Sequence, residues 1–499
     1  MSRVSPNRAL IAGLILACGL PAGCKVGPDY VAPTPVAPEH FSHTDAEGFA
    51  TTSTLIADKA PELTWWESLR DPKLDELIER AVQGNLDLRL AAARIREARA
   101  QRGVVATDDL PQISLDGQYT RSRASKSSTQ GLGGVPLTQN LFQLGFDASW
   151  ELDVFGGNRR AIEAADAMIG STIESRRGVI LTLLSELAVN YVDLRGFQRR
   201  LDIARRNIDL QKQTVDLTKS RFDAGLTNEV DVAQARASLA TTQSTVPTFD
   251  QGVHQSIHRI GVLLGEQPTA LESELLTEAT IPTVPDEIPV GIPSDLLRRR
   301  PDVRMAERDL ASSTANIGVA VADLFPKFSL TGSFGHQSLH QQQFANATSR
   351  FWSFGPAMQW PIFQFGRVRA NIAVADAQTD QALVRYQQAV LTSFEDVENA
   401  MVSFTREQDR RKSLQEAVDA NQRAFDLSNQ LYTNGLTDFL VVLDSQRALQ
   451  ASEDSLAESQ TTVASNLISL YKALGGGWDV IEAREAAMAA PAPENNVTK

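Results

Sequence analysis

Two histidine pairs and two cysteines are the residues best equipped for chemistry in this 499-residue chain. His254 and His258 stand four apart, and so do His336 and His340. On a helix that spacing places both imidazoles on one face, an arrangement that metal ions use. A zinc hydrolase of the H-E-x-x-H type also needs a glutamate directly after the first histidine, and none follows His254. The second pair falls in a polar loop. Neither pair therefore predicts a metal site. Cys18 and Cys24 lie in or beside an N-terminal apolar segment. Cleavage before Cys24 leaves one cysteine, so no intrachain disulfide can form. No GxxxxGK[ST] phosphate loop is present, and no Ser/His/Asp arrangement stands out. The net charge is −13, and no basic run extends beyond Arg298-Arg299-Arg300. That disfavours a nucleic-acid binder, which needs a concentrated basic face. The residues thus predict no enzyme, no metal and no cofactor, and attention moves to the elements themselves.

The first 23 residues read as an export signal. Arg3 and Arg8 precede an apolar run from Ala9 to Leu20, followed by Ala22 and Gly23. The run is shorter than the roughly 20 residues of a membrane-spanning helix. Pro21-Ala22-Gly23-Cys24 resembles a bacterial lipoprotein cleavage box, with Pro21 where Leu is usual. A covalent lipid on Cys24 is the expectation. Pro28, Pro33, Pro35 and Pro38 favour extended chain, so residues 24–62 read as a lipid-anchored tether. A helix is expected from Asp71-Pro72, with Leu74, Leu77, Ile78 and Val82 at helical spacing.

An internal duplication organises the rest. Leu110-Pro111, Ile113, Leu115 and Gly117 recur as Phe325-Pro326, Phe328, Leu330 and Gly332. Trp150, Phe155-Gly156, Arg159 and Ala165-Asp166-Ala167 recur as Trp360, Phe365-Gly366, Arg369 and Ala375-Asp376-Ala377. Two tandem copies of one unit are predicted, over 63–280 and 281–478, with a flexible tail over 479–499. Each copy carries two strands of alternating polarity. Phe142, Leu144, Phe146, Ala148, Trp150 and Leu152 alternate with Gln143, Gly145, Asp147, Ser149 and Glu151, and the segments starting at Ile113, Phe328 and Trp352 alternate likewise. Half of a soluble sandwich is one reading of any single strand. Four strands of about 9–13 residues with aromatic ends favour a membrane barrel. After each strand pair comes a proline-free helical stretch, 159 to about 223 and 369 to about 433, spanning on the order of 100 Å. Gly225 and Gly435 break these stretches before helices resume to about 264 and 474.

The predicted class is an α+β membrane protein of two helix-strand-strand-helix-helix repeats. Four strands cannot close a membrane barrel and an open edge cannot face lipid, so several chains must share one: two give eight strands, three give twelve, four give sixteen. The helices, too polar for lipid, then occupy the periplasm. A soluble coiled-coil scaffold capped by the strands is the rival architecture.

Several segments carry a family resemblance. They are Cys24-Lys25-Val26-Gly27-Pro28-Asp29-Tyr30, Trp65-Trp66 with Asp71-Pro72, and the run from Gly291 to Val303 that includes Pro293-Ser294-Asp295 and Arg300-Pro301-Asp302. Ile317-Gly318-Val319-Ala320 and Gly475-Gly476-Gly477-Trp478 join them. Over roughly 24–478 the chain resembles the NodT-type lipoprotein branch of the TolC family of outer-membrane efflux proteins. The resemblance implies a homotrimer whose twelve-stranded barrel in the outer membrane continues into a periplasmic helical barrel. It also implies docking to a periplasmic adaptor (membrane fusion) protein and an inner-membrane pump of the RND class, which supplies the energy. It places adaptor contacts at Arg221, Phe222, Gly225, Leu226 and Thr227, and at Tyr432, Gly435, Leu436 and Thr437. It assigns Asp444 to a carboxylate ring at a periplasmic gate. Asp231 and Tyr432 match positions of a closing network, with a hydrogen bond between them as the candidate link. Val441 and Thr437 stand where the family has a second carboxylate and a basic partner, so an ionic lock is not expected.

Overall fold

The computed structural model describes residues 24–35, 37–42, 53–56, 59–125, 127 and 137–489. The expected export signal, residues 36, 43–52 and 57–58 of the expected tether, residues 126 and 128–136, and residues 490–499 lie outside them. The element order is β1 (Thr54–Ile56), α1 (Pro72–Gly84), α2 (Leu86–Thr107), β2 (Gln112–Arg123), β3 (Thr138–Leu152), α3 (Gly157–Asp223), α4 (Glu229–Leu264), α5 (Glu272–Leu275) and β4 (Glu287–Pro289). It continues with α6 (Pro293–Arg299), α7 (Pro301–Ala322), β5 (Lys327–Ser338), β6 (Arg350–Gln359), α8 (Arg367–Thr433), α9 (Phe439–Ala473) and α10 (Trp478–Ala489). The duplication is visible in the lengths. Helices α2 and α7 have 22 residues each and α3 and α8 have 67 each. Helices α4 and α9 have 36 and 35.

The chain forms two compact units that cut across these repeats, each repeat contributing to both. The first unit holds residues up to 34, 94–172 and 306–386. Its centre is an antiparallel sheet in the order β2-β3-β5-β6, so the two hairpins lie side by side. Register aligns Leu115 with Phe146, Phe146 with Phe334 and Phe334 with Trp352, giving one apolar row across four strands. One residue along, Ser114, Asp147, Ser333 and Ser353 form a polar row on the opposite face. There the Ser333 and Ser353 hydroxyls lie 2.8 Å apart. The repeats end their strands alike: the indole N–H of Trp150 donates to the Asp109 carbonyl, and that of Trp360 to the Leu324 carbonyl, both at 3.0 Å.

The second unit holds residues 35–93, 173–305 and 387 onward. Its core gathers Trp65, Trp66, Leu74 and Ile78 with Leu184 and Leu187 of α3, Ile257 and Ile260 of α4, Met401 and Phe404 of α8, and Leu467 and Tyr471 of α9. Asp71 caps α1 by accepting from the backbone N–H groups of Lys73 and Leu74, with Pro72 inside the first turn. Trp65 stacks on Tyr471 with ring centres 5.5 Å apart. Helix α4 carries Pro247 in its interior, which removes one ladder hydrogen bond.

Two family-like segments meet in this unit. Arg300 is buried; it donates to Asp302 at 2.7 and 3.0 Å, to Asp396 at 2.8 Å and to the Ala473 carbonyl at 3.2 Å. A Cβ at Gly475, whose φ is +71°, would stand 3.3 Å from the Arg300 Cα. The segment expected to be a flexible tail starts instead as helix α10. Trp478 and Ile481, three apart, are buried in the core, and the Trp478 indole donates to the Arg299 carbonyl at 3.1 Å. Arg177 and Arg176 pair with Glu482 and Glu485. Apolar anchoring at helical spacing plus these ion pairs orders a stretch whose composition alone reads as tail.

Candidate functional site

Three places in the fold carry the expected functional residues. The first is the start of the described chain. Cys24 is exposed with a free thiol. The residues after it are clamped to the segment that follows β3. The Val26 backbone N–H donates to the Phe155 carbonyl at 3.1 Å. Arg160, buried at the start of α3, donates to the Val26 and Gly27 carbonyls at 3.0 and 3.1 Å and to Asp29 at 2.9 Å. Lys25 pairs with Glu163 at 2.5 Å. Gly27 has φ +86°, and a Cβ there would lie 2.5 Å from the Gly318 Cα, so only glycine fits. Tyr30 donates to Glu307, and burial together with the Glu307 charge pushes its phenol up. The chain thus leaves Cys24 directly beside the segment that follows strand β3. Arg160 gave no sequence signal: the duplicated position is Ala370.

The second place is the apolar face of the sheet. Among the described residues nothing covers it: Trp352 is 69% exposed and Phe354 80%. Among the described residues strands β2 and β6 each have a single neighbour, so one row of backbone donors and acceptors stays open on each.

The third place is the pair of helix reversals. After α3 the Gly225 N–H bonds the Phe222 carbonyl, and the Leu226 N–H bonds the Arg221 carbonyl, both at 2.8 Å. After α8 the same pair recurs, Gly435 to Tyr432 at 2.9 Å and Leu436 to Leu431 at 2.8 Å. Both glycines have φ +73°. These are paired left-handed helix stops. Leu226 and Leu436 project from the turns, 66% and 72% exposed, and Phe222 is exposed beside them.

The two reversals differ in their polar contacts. Arg221 donates to the Tyr432 carbonyl at 3.0 Å and lies 4.5 Å over the Tyr432 ring, tying one turn to the other. Tyr432 is buried in a small cluster with Phe425, Phe439 and Val442, so its side chain is not a contact surface of the protomer. Its hydroxyl has no hydrogen-bond partner among the described residues. The anticipated Tyr432–Asp231 hydrogen bond is not made. Asp231 instead accepts from the Thr227 hydroxyl four residues earlier, and its backbone N–H donates to the capping Asn228. In the second reversal Thr437 has Val441 at the matching position, so no such pair forms. Thr227–Asp231 was legible as an i, i+4 pair. The stacking of Arg221 on Tyr432, 211 residues apart, was not. Asp444 is exposed on α9.

A family model described as outer membrane efflux protein matches residues 77–266 and again 292–476. The chain is 33% identical over 460 residues to nodulation protein T of Rhizobium leguminosarum bv. trifolii, covering 92% of this chain and 96% of that protein. It is 32% identical over 461 residues to the solvent efflux pump outer membrane protein SrpC of Pseudomonas putida, covering 92% and 96%. Among solved structures, the outer-membrane channel OprN aligns with a TM-score of 0.83 at 37% identity, covering 91% of this chain and 100% of that one. The chain belongs to the outer membrane efflux protein family.

Proposed function

We propose that the protein is the outer-membrane exit duct of a tripartite efflux system, passing small toxic compounds or drugs from a periplasmic assembly to the outside. The observation that carries this reading is the four-stranded sheet, apolar on one open face, polar on the other and unpaired at both edges. Lipid on the apolar face and neighbouring copies at both edges satisfy it. Three protomers give a twelve-stranded barrel, and their helices continue it as a periplasmic tube. Exposed Val374, Val384, Leu391, Leu427 and Leu431 along α8 suit burial between neighbouring protomers. A lipid on Cys24, set by the Arg160 clamp beside the end of β3, anchors the same assembly to the outer membrane. The duct is passive and not an enzyme; an inner-membrane pump of the RND class supplies the energy through a periplasmic adaptor. Exposed Leu226, Leu436 and Phe222 at the reversals, with Thr227 and Thr437, offer the adaptor its contact. Relatives named for solvent efflux and for cation efflux indicate the range of cargo the architecture serves.

Native mass spectrometry of the detergent-extracted protein tests the reading. A trimer carrying a diacylglyceryl mass on Cys24 is expected. A monomer that stays soluble without detergent overturns the shared barrel.

Asp444 is proposed as one member of a three-carboxylate ring at the gate. Like charges brought together attract cations into the pore. Asp444→Ala is expected to reduce cation preference in planar-bilayer recordings. Unchanged conductance and selectivity would remove Asp444 from the gate.

A further inference from the structure

We propose that His254, His258 and Glu272 form a binding site for a divalent transition-metal cation of the zinc type, on the second unit and apart from the duct's tips. The two histidines lie one turn apart near the end of α4. Glu272 opens α5; Leu271 just before it and Leu275 at its end are buried in the main core. That anchoring holds the carboxylate against the histidine face of α4. His254 Nδ1 lies 3.4 Å and His258 Nε2 3.3 Å from the same oxygen, Glu272 Oε1.

These separations match a coordination sphere. Ligands bonded to zinc at about 2.0–2.1 Å in a tetrahedron stand about 3.3–3.4 Å apart along each edge. Two edges of the triangle are already at that length. The three donor atoms all lie within 4.8 Å of one another, so small rotations of the imidazoles close the third edge. All three side chains are part-exposed, which lets a hydrated ion enter and leaves the fourth position to water. Two imidazole nitrogens and one carboxylate favour zinc-like ions over magnesium or calcium, which prefer all-oxygen shells. The missing H-E-x-x-H glutamate is irrelevant here: the third ligand arrives from another element, fourteen residues after His258. Bound metal bridges α4 to α5 across the intervening loop and clips that connection to the helix.

The test is calorimetric titration of the tag-free, full-length, detergent-solubilised protein with zinc chloride after chelator stripping. One ion per protomer is expected. Outer-shell changes at metal sites already cost about 10–100-fold in affinity, so His254→Ala or His258→Ala, each removing a ligand, should weaken binding at least that much. His336→Ala with His340→Ala should leave it intact. Cobalt(II) should give the intense visible absorption of a tetrahedral centre in the wild type and lose it in His258→Ala. Glu272→Gln, which keeps the side-chain shape, provides a second weakened variant if a histidine variant misfolds. Absence of zinc binding by the wild type, or unchanged stoichiometry and affinity in the His254→Ala, His258→Ala double variant, overturns the site.

Discussion

Phe146→Arg is expected to abolish most trimer assembly in the outer membrane. Phe146 sits mid-strand in β3, between Leu115 and Phe334 in the cross-strand apolar row. In the proposed barrel its side chain meets lipid near the bilayer centre. An arginine there costs about 2–4 kcal/mol in each protomer. Three copies multiply the penalty in one assembly. The internal control is Thr331→Arg, on the polar face, where the guanidinium reaches water and assembly should persist. Trimer yield from isolated outer membranes, read by native mass spectrometry, measures both. Equal trimer yields from Phe146→Arg and the wild type would remove lipid from that face and return the strands to a soluble cap.

Arg300→Met should destabilise the helical unit by about 2–3 kcal/mol. Arg300 ties the start of α7 to α8 and to the last turn of α9, through Asp302, Asp396 and the Ala473 carbonyl. Burial works against its charge, but the hydrogen bonds and field of Asp302 and then of Asp396 outweigh it and hold the guanidinium above its ordinary value. Breaking a fully buried pair costs about 3–5 kcal/mol. Here both carboxylates are 46% exposed and recover water when the arginine goes. The expected loss is therefore nearer that of the charge-assisted hydrogen bonds, each about 1.5–3 kcal/mol and not additive. Arg300→Lys keeps the charge but lacks the planar fork and should fall between. Thermal unfolding of the solubilised protein checks the order wild type, Lys, Met. Identical midpoints for all three would mean that the Arg300-Pro301-Asp302 segment does not hold the unit together.

The repeated order of elements is legible along the chain, because that order is written in local periodicity. Alternation of period two in the segment from Phe142 marked β3, and its partner strands followed the same pattern. The proline-free stretches marked α3 and α8, and their ends fell at Gly225 and Gly435 because a left-handed helix stop favours glycine. The matched residues, 215 apart from Leu110 to Phe325 and 210 apart from Trp150 to Trp360, predict two equivalent halves, which the equal lengths of α3 and α8 display. Which distant side chains meet emerges only when the elements pack. Nothing local joins Arg300 to Asp396, Arg221 to the Tyr432 ring, Arg160 to the chain after Cys24, or Glu272 to its two histidines. The candidate hydrogen bond between Tyr432 and Asp231 is not made, for the same reason. Thr227, one helical turn from Asp231, captures that carboxylate, while packing with Phe425 and Phe439 buries the tyrosine. Likewise Trp478 and Ile481 become helix only because a core waits for them. Pattern along a chain specifies which face each element buries; the partner it meets there depends on how separate elements pack, and that energy belongs to no single stretch of sequence.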